Sequence, residues 1–153
     1  MTAEMTRFFT EKVPEGWFDG ELSVESDDEE ILCTGELPPP GHADDFREST
    51  RAERMAIAAE AEARFGRKVS WGVTRQGATT LFTTQSIPVT AHLRFRERAV
   101  LGTLIDAGVA RTRSEALSWC VKLVAGHERA WLDELREALT SVEQVTSGGP
   151  TLI

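Results

Sequence analysis

The stretch Pro88-Val89-Thr90-Ala91-His92-Leu93-Arg94-Phe95-Arg96 decides how the chain is read. Val89, Ala91, Leu93 and Phe95 alternate strictly with Thr90, His92, Arg94 and Arg96. Period two puts one set on each face of a strand, so the apolar set packs inward and Thr, His and Arg point out. Downstream the period changes. Val100, Leu101, Leu104 and Ile105 share one face of a helix opening at Glu97, and Gly108 ends it. Val109–Arg113 turns the chain, and Ser114 is a good N-cap for a second helix. Along that helix Leu117, Val121, Val124, Trp131, Leu135, Ala138 and Val142 recur at alternating spacings of four and three, interrupted by Glu128. Gly126 weakens its middle, so it is one long helix or two in tandem.

A lone strand with two unpaired edges followed by two amphipathic helices cannot close a core by itself. It needs a partner, and a twofold two-stranded ribbon is the simplest one. The pattern of a strand with a polar outer face, a helix, a tight turn and then Arg111-Thr112-Arg113-Ser114-Glu115-Ala116-Leu117 resembles the ribbon-helix-helix family of small dimeric DNA-binding proteins. The resemblance covers about residues 88–125. It implies two strands, one per subunit, pairing antiparallel and entering the major groove, with Thr90, His92 and Arg94 facing bases. It also implies a phosphate held at the N-terminus of the second helix, around Ser114. Elementary geometry agrees, since a two-stranded ribbon fits a groove about 12 Å wide. Arg96, Arg98, Arg111 and Arg113 suit phosphate contacts, which set affinity and salt dependence rather than sequence. Val89, Ala91, Leu93, Phe95, Leu117 and Val121 form the expected dimer interface.

Upstream, residues 1–16 read as a poorly ordered acidic segment. Residues 17–86 read as an α+β module: a β-hairpin over 21–37, a stiff Pro38-Pro39-Pro40-Gly41 linker, an alanine-rich helix from Asp44 to Phe65, and a second hairpin over 69–84. Thr50-Arg51-Ala52-Glu53 offers an internal capping box, and Gly66 a C-terminal stop. The expected fold class is therefore α+β, a hairpin, helix and hairpin followed by a ribbon-helix-helix-like segment at 87–146 with an extended last helix, then a tail at 147–153. The second hairpin ends just before the decisive strand, and its pairing with 89–95 inside one subunit would cover the edge that dimerisation needs.

The net charge of −8 over 153 residues speaks at first against nucleic acid, but the charge is unevenly placed. Residues 1–45 hold thirteen carboxylates against two bases, net −11; residues 46–98 carry +5 and residues 99–153 carry −2. Such asymmetry suggests separate tasks, with the acidic segment either a solvated face or an internal brake on the basic ribbon. No apolar run approaches the ~20 residues of a membrane span, and no basic-then-apolar leader opens the sequence. A cytoplasmic protein is expected, nucleoid-associated if it binds DNA. Cys33 and Cys120 are too far apart for a local metal knuckle, and His42 and His127 share no ligand spacing. Asp27-Asp28-Glu29-Glu30 lacks the pattern of a calcium loop. No phosphate loop or nucleophile elbow is present. The expectation is thus no catalytic residue, no metal and no cofactor.

The functional expectation is a homodimeric transcriptional regulator binding double-stranded operator DNA, its N-terminal module open to an effector or protein partner. The alternative is a protein-interaction module that keeps the shape without binding DNA.

Overall fold

The computed structural model describes residues 1–150, an α+β chain with six helices and a four-stranded sheet among them. It divides into two units between Pro88 and Val89, where the sequence suggested 86/87.

In the first unit, residues 1–16 are not a poorly ordered segment, because Thr2–Lys12 form a helix, α1. Met5, Phe8 and Phe9 stand at i, i+3 and i+4, which puts all three on one face, and all three are buried. Strands β1 (Asp19–Ser26) and β2 (Glu30–Glu36) pair antiparallel. In the turn between them the Asp27 carboxylate accepts hydrogen bonds from the backbone N–H of Glu29 at 3.0 Å and of Glu30 at 2.8 Å. These bonds favour the charged form and hold its pKa below the ordinary aspartate value.

The helix expected over 44–65 is two helices, α2 (Ala43–Ser49) and α3 (Arg51–Phe65). They break at Thr50, whose φ of −102° and ψ of 1° leave the helical region. The Thr50 hydroxyl donates to the Phe46 carbonyl and accepts from Arg54 Nε at 3.0 Å, so the expected capping box does not form. Gly66 ends α3 with φ +69°, a conformation that suits glycine.

Strand β3 (Lys68–Arg75) then pairs with β2 in parallel, from Glu30 opposite Lys68 to Glu36 opposite Thr74. β4 (Ala78–Leu81) returns antiparallel through a tight turn in which Gln76 and Gly77 both have positive φ. The sheet order is β1-β2-β3-β4, so the two hairpins read from sequence are halves of one sheet, joined by a helical crossover. Met5, Phe8 and Phe9 of α1, Ile31 and Cys33 of β2, Ile57 and Ala61 of α3 and Trp71 of β3 make the core. Phe9 meets Trp71 edge to face, with centroids 5.7 Å apart. Burial pushes the Cys33 thiol up to about 12, so it stays a protonated, inert core group.

In the second unit the residues from Val89 to Arg94 belong to no helix or strand. Helix α4 (Phe95–Asp106) starts two residues before the expected Glu97. The Glu97 carboxylate accepts the backbone N–H of Arg94 at 2.8 Å, which anchors the first turn there. Phe95 and Arg96, read as strand residues, are therefore helical. Gly108, at φ +79°, follows the end of α4. The N-cap of α5 (Arg113–His127) is Thr112 rather than Ser114, its hydroxyl accepting from the Glu115 N–H at 3.1 Å. Glu128, two residues after Gly126, separates α5 from α6 (Arg129–Ser147), so the tandem alternative holds. Part of the expected tail, residues 151–153, lies outside the described residues. The core is small: Leu101, Ala110 and Ala116, surrounded by Leu93, Leu104, Ile105, Leu117 and Cys120. Among the described residues no helix is long and apolar enough to cross a membrane.

Candidate nucleic-acid interface

No strand forms over 89–94, and its two sets of side chains are only partly separated. Val89, Ala91 and Leu93 line one groove of about 240 Å³ with Leu101, Leu117, Arg98, Arg113 and Ser114. His92 and Arg94 line a second depression with Phe95, and Leu93 and Arg98 border both. Thr90, His92 and Arg94, the expected base-reading residues, are all exposed. The apolar set is mostly uncovered: Val89 is 84% exposed, Ala91 is exposed and Leu93 alone is half-buried. Phe95, expected on the same apolar face, is 76% exposed on the first turn of α4. No backbone N–H from Val89 to Leu93 has a backbone partner among the described residues.

The expected phosphate-binding arginines divide by what already holds them. Arg98 donates to the Leu93 carbonyl at 2.6 Å, which fastens the end of the 89–94 segment to α4. Arg111 is paired with Glu115 at 2.8 Å and gives the same carboxylate its backbone N–H at 2.8 Å. The side-chain hydrogen bond holds Glu115 below the usual carboxylate range and raises Arg111 above its usual value. Arg94, Arg96 and Arg113 have no ion-pair partner among the described residues. Ser114 sits in the first turn of α5, one residue after Arg113, where backbone N–H groups point out of the helix start. Of the expected interface residues, Leu117 packs on the core while Val121 is 62% exposed.

The first unit holds a second constellation, missed in the sequence. Arg47, Arg51 and Arg54 line a cavity of about 560 Å³ with Val69, Ser70, Trp71 and Phe82. Their spacing, i, i+4 and i+7, was visible as one basic helical face. In sequence it lies in an alanine-rich run that reads as an ordinary solvated helix.

Two family models match the chain. Residues 3–81 match the N-terminal domain of Rv1265-like protein, and residues 94–146 match the Mb1296 C-terminal domain. Among the relatives, Mb1296 of Mycobacterium bovis and Rv1265 of Mycobacterium tuberculosis are each 47% identical over 157 residues. These matches take in 95% of this chain and 70% of each relative. No solved structure matches it. The two domain matches fall on either side of the division at Pro88, and the chain belongs to the family of Rv1265 and Mb1296.

Proposed function

We propose that the protein binds double-stranded DNA as a homodimer and acts as a transcriptional regulator, through the segment 89–94 and the start of α5. One observation carries this reading: a segment of alternating apolar and polar residues outside any helix or strand, exposed at Thr90, His92 and Arg94, whose backbone N–H groups from Val89 to Leu93 have no backbone partner among the described residues. An unpaired edge of this kind is a template for a second copy. Pairing two such segments across a twofold axis would satisfy their backbones and cover Val89, Ala91 and Leu93. It would also present Thr90, His92 and Arg94 together. Arg94 can then give two hydrogen bonds to a guanine, discriminating by about 1–3 kcal/mol. Arg96 and Arg113, free of ion pairs among the described residues, supply phosphate contacts.

A gel-shift or fluorescence-anisotropy screen of the full chain against a duplex library tests the proposal. Specific binding should weaken steeply with salt, Arg94→Ala should relax sequence preference, and Arg96→Ala should lower the salt slope by about one. Salt-insensitive binding, or none at low salt, overturns it.

A second reading rests on α6, where Trp131, Leu135, Leu139, Val142 and Val145 are all exposed. A helix with this apolar stripe fits a protein-interaction module. A single stoichiometric protein partner, recovered together with failure to shift any duplex, selects that reading.

A further inference from the structure

We propose that the cavity beside the α2–α3 corner is a binding site for a small phosphorylated organic molecule, gripped by Arg47, Arg51 and Arg54. The site belongs to the first unit and stands independently of the DNA-binding proposal.

Three arginines line one cavity, and none has an ion-pair partner among the described residues. Two carboxylates, Asp44 and Glu48, share the lining yet pair with none of the three. The carboxylate of Glu30 is engaged elsewhere, accepting from the Ser70 hydroxyl and from the Gln85 N–H at 2.9 Å. Arg47 and Arg54 approach the same ring, with guanidinium carbons 5.5 and 5.0 Å from the Phe82 centroid. Cation–π contact steadies two like charges side by side but does not neutralise them.

Arg54 is the informative member. It is only 8% exposed, and a charged group that deep ordinarily has a carboxylate beside it. Here Nε donates to Thr50 Oγ1 at 3.0 Å and one terminal nitrogen donates to the Arg47 carbonyl at 2.6 Å. The other terminal nitrogen has no protein acceptor among the described residues, and no fully buried side-chain nitrogen lacks one. It therefore opens onto accessible space, and the cavity is the space Arg54 lines. Desolvation, then repulsion from Arg47 and Arg51, lowers its pKa from the usual arginine value.

Fixed positive charge, unspent donors and room for a ligand occur together. Guanidinium forks match phosphate oxygens in geometry and charge. A volume of about 560 Å³ lies within the usual range for small-molecule sites and exceeds what a bare phosphate fills. Met55, Ala58, Val69 and Trp71 supply apolar lining for an organic portion.

Pyrophosphate is the first probe, added to the full chain at low ionic strength and followed by calorimetric titration and thermal unfolding. Citrate provides a polycarboxylate arm and sulfate an ionic-strength control. Pyrophosphate should bind and raise Tm, while citrate and sulfate do so far less. Arg47→Ala and Arg51→Ala, both at exposed positions, should keep the fold and each weaken binding roughly tenfold. Arg54→Gln should weaken it further if the variant folds. Equal pyrophosphate affinity in wild type, Arg47→Ala and Arg51→Ala overturns the proposal, as does absence of binding in all three. Citrate binding as tightly as pyrophosphate overturns the phosphate assignment.

Discussion

The two units solve the problem of burying a core very differently. In the first, α1, α3 and two central strands contribute eight buried apolar residues to one cluster, including Phe8, Phe9 and Trp71. In the second, the corresponding cluster holds three, of which two are alanines. The same chain exposes Val121, Leu123, Val124, Trp131, Leu135, Leu139, Val142 and Val145 in that second unit. The contrast teaches where association is to be expected. The first unit's apolar faces already meet one another, whereas α5 and α6 leave apolar side chains exposed, as the proposed association requires.

The largest effects should come from the first core and from the exposed face of α5. Phe9→Ala removes an aromatic ring sealed between α1 and Trp71 and should cost about 3–5 kcal/mol, read as a lower chemical-denaturation midpoint at every protein concentration. Val121→Asp should leave a monomer's stability almost unchanged but destabilise the proposed dimer by about 2–3 kcal/mol. Sedimentation across a dilution series reads it, and a wild-type chain that stays monomeric at all concentrations removes the partner argument. Smaller effects attach to the start of α5. Thr112→Ala deletes the hydroxyl that caps it and should cost about 1 kcal/mol in thermal unfolding.

The smallest effect is one of pH. Because Glu115 has a depressed pKa in the folded chain, its contribution is complete above the ordinary carboxylate value. It fades as pH falls through the lower folded value. Chemical-shift titration of the Arg111 and Glu115 backbone amides should show the two moving together in that acidic window. Independent movement would mean the pair is not coupled.

Much of the local structure was readable because it depends on neighbours in sequence. Gly66 and Gly108 stop helices where positive φ is required, and Arg75-Gln76-Gly77-Ala78 makes the tight turn its composition suggests. The α+β class was legible for the same reason; for the last helix the sequence offered one long helix or two, and the structure has two. What was not legible depends on distant residues. The parallel pairing of β2 with β3 leaves no local periodicity, so one sheet looked like two hairpins. α1 carried a short helical spacing in Met5, Phe8 and Phe9, but the residues that bury it, Ile57 and Trp71 among them, are distant in sequence.

The start of α4 was misjudged because Phe95 and Arg96 continue an alternation that the Glu97 carboxylate interrupts. Thr112, by contrast, was overlooked despite a readable signal, since Thr112-x-x-Glu115 is itself a capping pattern. The candidate interface was legible as a sided pattern of residues.

The parallel crossover has a further consequence, in time rather than in space. Glu30 and Lys68 must meet across the whole α2–α3 connection before the central ladder of the sheet can grow. Such a closure is entropically costly and slows folding, whereas α4, α5 and α6 assemble from contacts close in sequence. The C-terminal helices can thus be in place while the N-terminal sheet is still searching for its register. During that interval their uncovered apolar faces coexist with unpaired strands on the same chain, and the refolding yield should fall as protein concentration rises.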